Sequence, residues 1–283
     1  MAIKYLAPIG VAMAFALSTP AFAQASDGVD WTGPYIGGQI GYTWQKNDGN
    51  EHLRFDTNSD GNFGDQPKLA SGAPAFSRGT CGGAARSEDP LAGCNDDKDA
   101  VTWLGHVGYD MQFGSVVAGV VAEAGKAYIS DSVSEYSTTP ASYIMTRRID
   151  WNGNLRARLG YTTKSGIMPY ITGGLAYAKV KNSFAQDGNA INSFTPNKSK
   201  EDAWGWTAGG GVEAKVADNF SIGVLYKWTR YNVKDYRVVA GPNATNPSLV
   251  TAFNNSSTTG STTIRRGDKF DTQSAMVTAS FRF

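Results

Sequence analysis

Residues 270–283 read Phe270-Asp-Thr-Gln-Ser-Ala-Met-Val-Thr-Ala-Ser-Phe-Arg-Phe283. Ala275, Val277, Ala279, Phe281 and Phe283 are apolar, while Ser274, Thr278, Ser280 and Arg282 alternate with them as polar residues; Met276 is the exception. Successive side chains point to opposite faces of a strand, so this stretch is a strand with one oily and one wet face. With no tail after Phe283, such a strand would leave a row of N–H and C=O groups open in an apolar setting unless it paired back onto the first strand. The expectation is a closed all-β barrel in a membrane.

Seven earlier segments share this period. Trp31–Trp44 places Ile36, Ile40, Tyr42 and Trp44 on one face and Tyr35, Gln39 and Thr43 on the other. Ala100–Phe113 sets Val101, Trp103, Val107, Tyr109, Met111 and Phe113 against His106, Asp110 and Gln112. Val116–Ser130 carries Val120 outward and Glu123 inward. The clearest is Ile149–Thr163, where Trp151, Leu155, Ala157, Leu159 and Tyr161 alternate with Asn152, Asn154, Arg156 and Arg158. Met168–Asn182, Ala203–Ala217 and Phe220–Val233 complete a set of eight.

The connections alternate in length. Gly114-Ser115, Thr163–Ile167 and Ala217–Asn219 are short; Gln45–Asp99, Asp131–Arg148, Ser183–Asp202 and Lys234–Lys269 are long and polar. Short periplasmic turns and long external loops in that alternation describe an up-and-down transmembrane barrel. A ten-stranded version needs a hairpin within Tyr236–Phe253, where apolar runs such as Val238–Ala240 are too short to cross a bilayer. Trp44, Trp103, Trp151, Trp204, Trp206 and Trp228 all fall on the outward parity next to a long connection, and Phe113, Tyr161, Phe220, Phe281 and Phe283 fall outward at the opposite ends. A bilayer selects two such girdles; a soluble β-sandwich has no reason to sort Trp by parity and by end.

Composition agrees. The 283 residues begin with Lys4, an apolar run from Tyr5 to Leu17 and the small-residue site Ala21-Phe22-Ala23, which predicts a signal peptide over 1–23 and a barrel over 24–283. Removing Lys4 takes 26 cations to 25, against 25 acids, and a formally neutral chain gives no reason to expect a nucleic-acid partner. Cys81 and Cys94 lie close together in a secreted chain, which predicts a disulfide.

Trp31-Thr-Gly-Pro-Tyr-Ile-Gly-Gly38 with Gly41-Tyr42, Leu155-Arg-Ala-Arg-Leu-Gly-Tyr161, Pro169-Tyr-Ile-Thr-Gly-Gly-Leu-Ala-Tyr177, Trp206-Thr-Ala-Gly-Gly-Gly-Val-Glu213 and the terminal Phe283 together resemble the alphaproteobacterial outer-membrane surface-antigen barrels, porin-like relatives of the OmpA-type and opacity-type eight-stranded proteins. The resemblance spans all strands but not the Gln45–Asp99 loop. It implies insertion by the outer-membrane assembly machinery, which reads the last strand with Phe281 and Phe283.

An eight-stranded barrel is about wide enough for its own side chains to fill. The inward residues Gln39, His106, Asp110, Glu123, Arg156, Arg158, Glu213, Lys215, Lys227 and Arg282 are of mixed sign. Counted from the periplasmic turns, Gln39, His106, Glu123, Arg156 and Lys227 share a mid-barrel depth, and Asp110, Arg158, Glu213 and Arg282 lie lower. Two layers of both signs predict an ion-paired lumen. The alternative is a narrow or gated pore, for which inward Gly160, Gly174, Gly209 and Gly211 would leave room.

In the first long loop Asp56, Asn58, Asp60, Gly61, Asn62 and Asp65 spell the opening of a calcium loop, with Pro67 where the usual bidentate Glu would stand. The reading is either a calcium site or a solvated acidic loop, and no cofactor is required. His52 and His106 are the two histidines, and no G-x-S-x-G or H-E-x-x-H occurs, so no catalytic role is expected. The expectation is a monomeric surface protein that supports the envelope and meets outer-membrane lipid, lipopolysaccharide or an extracellular ligand; a small-solute channel and loop capture of a ligand such as haem are the alternatives.

Overall fold

The computed structural model describes residues 29–45, 52–233, 236–243, 245–246, 248–254, 262–265 and 269–283. The signal-peptide expectation for 1–23 lies outside these. Eight long antiparallel strands, numbered here β1 to β8, run Gly33–Trp44, Ala100–Phe113, Val116–Ser137, Ala141–Tyr161, Ile167–Gly188, Lys200–Ala217, Phe220–Asn232 and Lys269–Arg282. Each pairs with the next, and β8 returns to β1 with Ile36 opposite Phe281 and Tyr42 opposite Ala275. The ring has no open edge at membrane depth, as hydrocarbon demands. Gly114, at φ 61°, makes the β2–β3 turn in a conformation that a side chain would strain.

The outward parity is as the period requires. Ile40, Val107, Val120, Leu155, Leu175 and Val277 are more than half exposed to what is, in place, lipid. Trp103, Trp151, Trp204 and Trp206 are exposed in the external belt, and Trp44 and Trp228 are half-buried there by neighbouring rings. Trp206 packs edge-on against Trp228 at 4.5 Å and Trp204 lies 5.0 Å from Tyr177. At the opposite end Phe281 and Phe283 meet at 5.1 Å.

Three strands are far longer than a bilayer needs. β3 and β5 have 22 residues and β4 has 21, whereas about 9–11 suffice to cross. From Lys126, level with Trp103 and Trp151, to Ser137, β3 runs on for about 35 Å of strand beyond the external belt. The expected loop Asp131–Arg148 is therefore mostly strand, turning only at Thr138–Pro140, and the expected loop Ser183–Asp202 contains the end of β5 and a further strand, Asn192–Pro196. The polar residues that made these stretches resemble loops are buried: Asp131, Ser132, Ser134 and Glu135 are covered on both faces.

What covers them is a folded cap. Asn192–Pro196, Arg237–Asn243, Thr262–Arg265 and Arg54–Asp56 form a second, four-stranded sheet, so Val238–Ala240 is a strand but belongs to the cap. Phe55, Val238 and Phe253 make its apolar core together with Val133 of β3 and Tyr143 and Met145 of β4. The β3 edge left bare by the shorter β2 is paired by Thr80–Cys81 and by a bridge from Lys98 to Ser130, which removes an exposed template for aggregation.

Candidate functional site

The lumen is built in tiers from the periplasmic mouth outward. Trp31, just before β1, is fully buried, and its indole N–H donates to Thr162 Oγ1 at 2.8 Å. The Arg282 guanidinium lies over its ring at 4.5 Å. Parity assigned the other six Trp to the belt and left Trp31, which opens the first segment on the inward parity of Tyr35 and Gln39, without a role. Lys215 sits at this mouth too, donating to the backbone carbonyls of Asp30 and Asp218.

Above this floor four charges close a ring. Arg158 Nε donates to Asp110 Oδ1 and Nη1 to Glu213 Oε2, both at 2.7 Å; Arg282 Nη1 donates to Asp110 Oδ2 at 2.8 Å and Nη2 to Glu213 Oε1 at 2.9 Å. Each acid thus accepts from both guanidinium groups. Tyr35 is stacked against Arg158 and Arg282, and Tyr170 against Arg158. The next tier centres on Glu123, whose carboxylate accepts from Gln39 at 2.6 Å, Asn154 and Arg156 at 2.7 Å, and Lys227. Glu123, Arg156 and Lys227 are each over nine-tenths buried. Buried charges persist when they are paired in this way.

His106 departs from the expected network. It stands opposite Glu123 in register, yet its Nε2 meets Ser280 Oγ at 2.9 Å and no carboxylate. The inward glycines lie close against their neighbours. A Cβ at Gly160 would strike Met168 and one at Gly211 would strike Tyr170, while Gly174 and Gly209 lie against neighbouring backbone. Between the two charged tiers a cavity of about 20 Å³ is bordered by Tyr35, Gln39, His106, Arg156, Tyr170 and Ser280, room for about one water. Higher still, Ile129, Ile149, Tyr231 and Phe270 are buried in one apolar cluster. Over them Arg147 pairs with Asp131 at 2.7 Å and stacks on Phe270, an ion pair that the sequence hid inside a supposed loop.

In the calcium-like stretch four side-chain oxygens accept from its own backbone amides, while Asp56 Oδ1 is buried without a hydrogen-bond partner among the described residues. Asp56 Oδ2 accepts from the Gly61 amide at 3.0 Å, Asn58 Oδ1 from Asp60, Asp60 Oδ1 from Asn62, and Asp65 Oδ2 from Thr57. Among the described residues no three His, Cys, Asp or Glu side chains are grouped to hold a metal. The Asn62 backbone amide, helped by the Asn62 and Asn58 side chains, holds the Asp60 carboxyl below its usual range. Cys81 and Cys94 are joined, with both sulfurs near the Tyr136 hydroxyl.

An apolar outer wall, aromatic rings at both ends and a charged, ion-paired interior define an eight-stranded transmembrane β-barrel of the outer-membrane kind. The chain belongs to the family described as outer membrane protein beta-barrel domain, which matches residues 9–283. It is 26% identical to a 25 kDa outer-membrane immunogenic protein of Brucella abortus biovar 1 over 217 residues, covering 77% of this chain and 73% of that one. It is 35% identical over 127 residues to the 31 kDa outer-membrane immunogenic protein of Brucella melitensis biotype 1, covering 43% of this chain, and spans about half the length, 50%, of that relative. Among solved structures, the outer membrane protein OprG from Pseudomonas aeruginosa aligns with 91% of this chain and 99% of its own at 14% identity, TM-score 0.45. The protein is a constituent of the outer membrane.

Proposed function

We propose that this barrel is a non-conducting, non-catalytic surface protein that supports the envelope, with the cap and outer wall as its contact surfaces for lipopolysaccharide or extracellular partners. The observation that carries this reading is the tiered lumen, in which the Trp31 floor, the four-charge ring and the Glu123 hub leave a cavity of about 20 Å³. In this reading the barrel works as a monomer, delivered by the assembly machinery through its last strand. The His106–Ser280 pair lacks, among the described residues, a third group on Nδ1 to orient the imidazole and is buried, which argues against nucleophilic chemistry. Reconstitution into planar bilayers should give no steady conductance; sustained, voltage-independent current steps from the pure protein would revive the small-solute pore.

Loop capture of a ligand keeps one observation in its favour. The cap holds a pocket of about 240 Å³ walled by Phe76, Tyr143, Phe253, Val250 and Asn192. That is just below the usual size for small-molecule sites and suits a small aromatic fragment better than a macrocycle such as haem.

A further inference from the structure

On the outward face of β4, β5 and β6, directly beyond the Trp belt, four cations are grouped. Arg148 stands opposite Lys181, and Lys181 opposite Lys200, so three like charges share one row across three strands. Lys179 lies one row nearer the membrane, opposite Trp151 and Asp202. All four are exposed. Like charges placed directly opposite one another destabilise a sheet unless something of opposite sign covers them.

The protein supplies little cover of its own. Asp150 accepts from Arg148 Nε at 2.9 Å and also pairs with Lys181. Asp202 is taken up by the Tyr177 hydroxyl at 2.6 Å. Among the described residues no carboxylate pairs with Lys179 or Lys200. Beneath the row lie Trp151 and the Tyr177–Trp204 ring pair, and beneath those the apolar Leu155 and Leu175. The periplasmic end is different: its outward positions carry Phe113, Tyr161, Phe220 and Phe281, while Arg158 and Arg282 turn into the lumen.

We infer that this strip is a docking site for a phosphorylated glycolipid of the outer leaflet. Its phosphates lie on Arg148, Lys179, Lys181 and Lys200, and its acyl chains on the apolar wall below. The complementarity is of both kinds at the right heights. Flexible Lys stems reach headgroup phosphates from just outside an aromatic belt, and each such cation near an anionic surface contributes measurably to binding. The inference rests on the envelope role proposed above and gives it a located lipid contact.

The test measures binding of bisphosphorylated lipid A to the full-length barrel in non-ionic detergent, with dephosphorylated lipid A and inorganic phosphate as separate arms. K179Q/K181Q/K200Q should weaken binding on the order of 100-fold at physiological salt, and K179R/K181R/K200R should retain it. A control, K98Q/K164Q/K269Q, removes as many exposed cations elsewhere and should bind as the parent does. Equal binding by the Gln variant, equal loss in the control, or equal affinity for the dephosphorylated lipid would overturn the site. Full competition by stoichiometric inorganic phosphate would also overturn it, assigning the row to free phosphate. A barrel that conducts yet still binds lipid A at this strip would retire the sealed lumen and leave the lipid contact standing.

Discussion

Glu123 shows how much one lumen side chain holds in place. Its carboxylate satisfies Arg156 and Lys227, both buried, together with Gln39 and Asn154. Glu123→Ala strands two cations, and the loss of one partner of a buried pair costs about 3–5 kcal/mol. The variant should still reach the membrane but unfold at a clearly lower temperature in detergent; an unchanged melt would mean that the tier is not structural. On the other wall, Val120→Arg should cost about 2–4 kcal/mol if the site is near mid-membrane, measured by unfolding into denaturant from lipid vesicles, and a cost near zero would reverse the assigned parity. The types and depths of these residues were legible because period two separates Glu123 from Val120. Their partners were not. Which guanidinium reaches Glu213 depends on how far each strand is staggered against the next, and the loops that set the stagger carry no periodic signal.

The extension of β3 and β4 beyond the belt is the element that sequence periodicity missed. Alternation marks a strand only when one face is wet; here Asp131–Ser137 is covered on both faces, by the cap core and by the Cys81–Cys94 segment, so the pattern is erased. Burial has a second effect. It pushes the Glu135 carboxyl up from 4.5 to about 7, against a weaker opposing hydrogen bond from the Leu53 amide. Between those two values the folded cap holds a proton that the unfolded chain has released, so stability falls as pH rises from about 4.5 through about 7 and is lowest above it. Amides of Leu53–Asp56 should exchange faster at pH 8 than at pH 6 after correction for intrinsic rates. Glu135→Gln should abolish the difference, and its persistence in the variant would place the titrating group elsewhere.

At the scale of the whole molecule two kinds of core are stacked in one chain. The barrel presents apolar residues to lipid and charges to its axis, while the cap buries Phe55, Tyr143, Val238 and Phe253 as a water-soluble domain does. Cap and barrel answer to different solvents, so they need not melt together. In urea at fixed detergent, the amides of Val238 and Ala240 should lose protection before those of Leu155 and Leu225; a single coincident transition would show one cooperative unit. The barrel as a class, its strand number and its wall were readable from the sequence because lipid imposes a strict code. The cap was not, because its strands are short, come from three separate connections, and are stabilised by one another and by the extended ends of β3 and β4 rather than by a periodic face of their own.

Trp31 and Arg282 stand near opposite ends of the described chain, yet the indole and the guanidinium are stacked at 4.5 Å. No partial sheet can make that contact, since it forms only when the first and last strands have met. A variant keeping Trp31 as its sole tryptophan would therefore carry a built-in optical reporter of completed closure, dim or bright according to whether the cationic lid has arrived, and would time the final step of insertion apart from every earlier one.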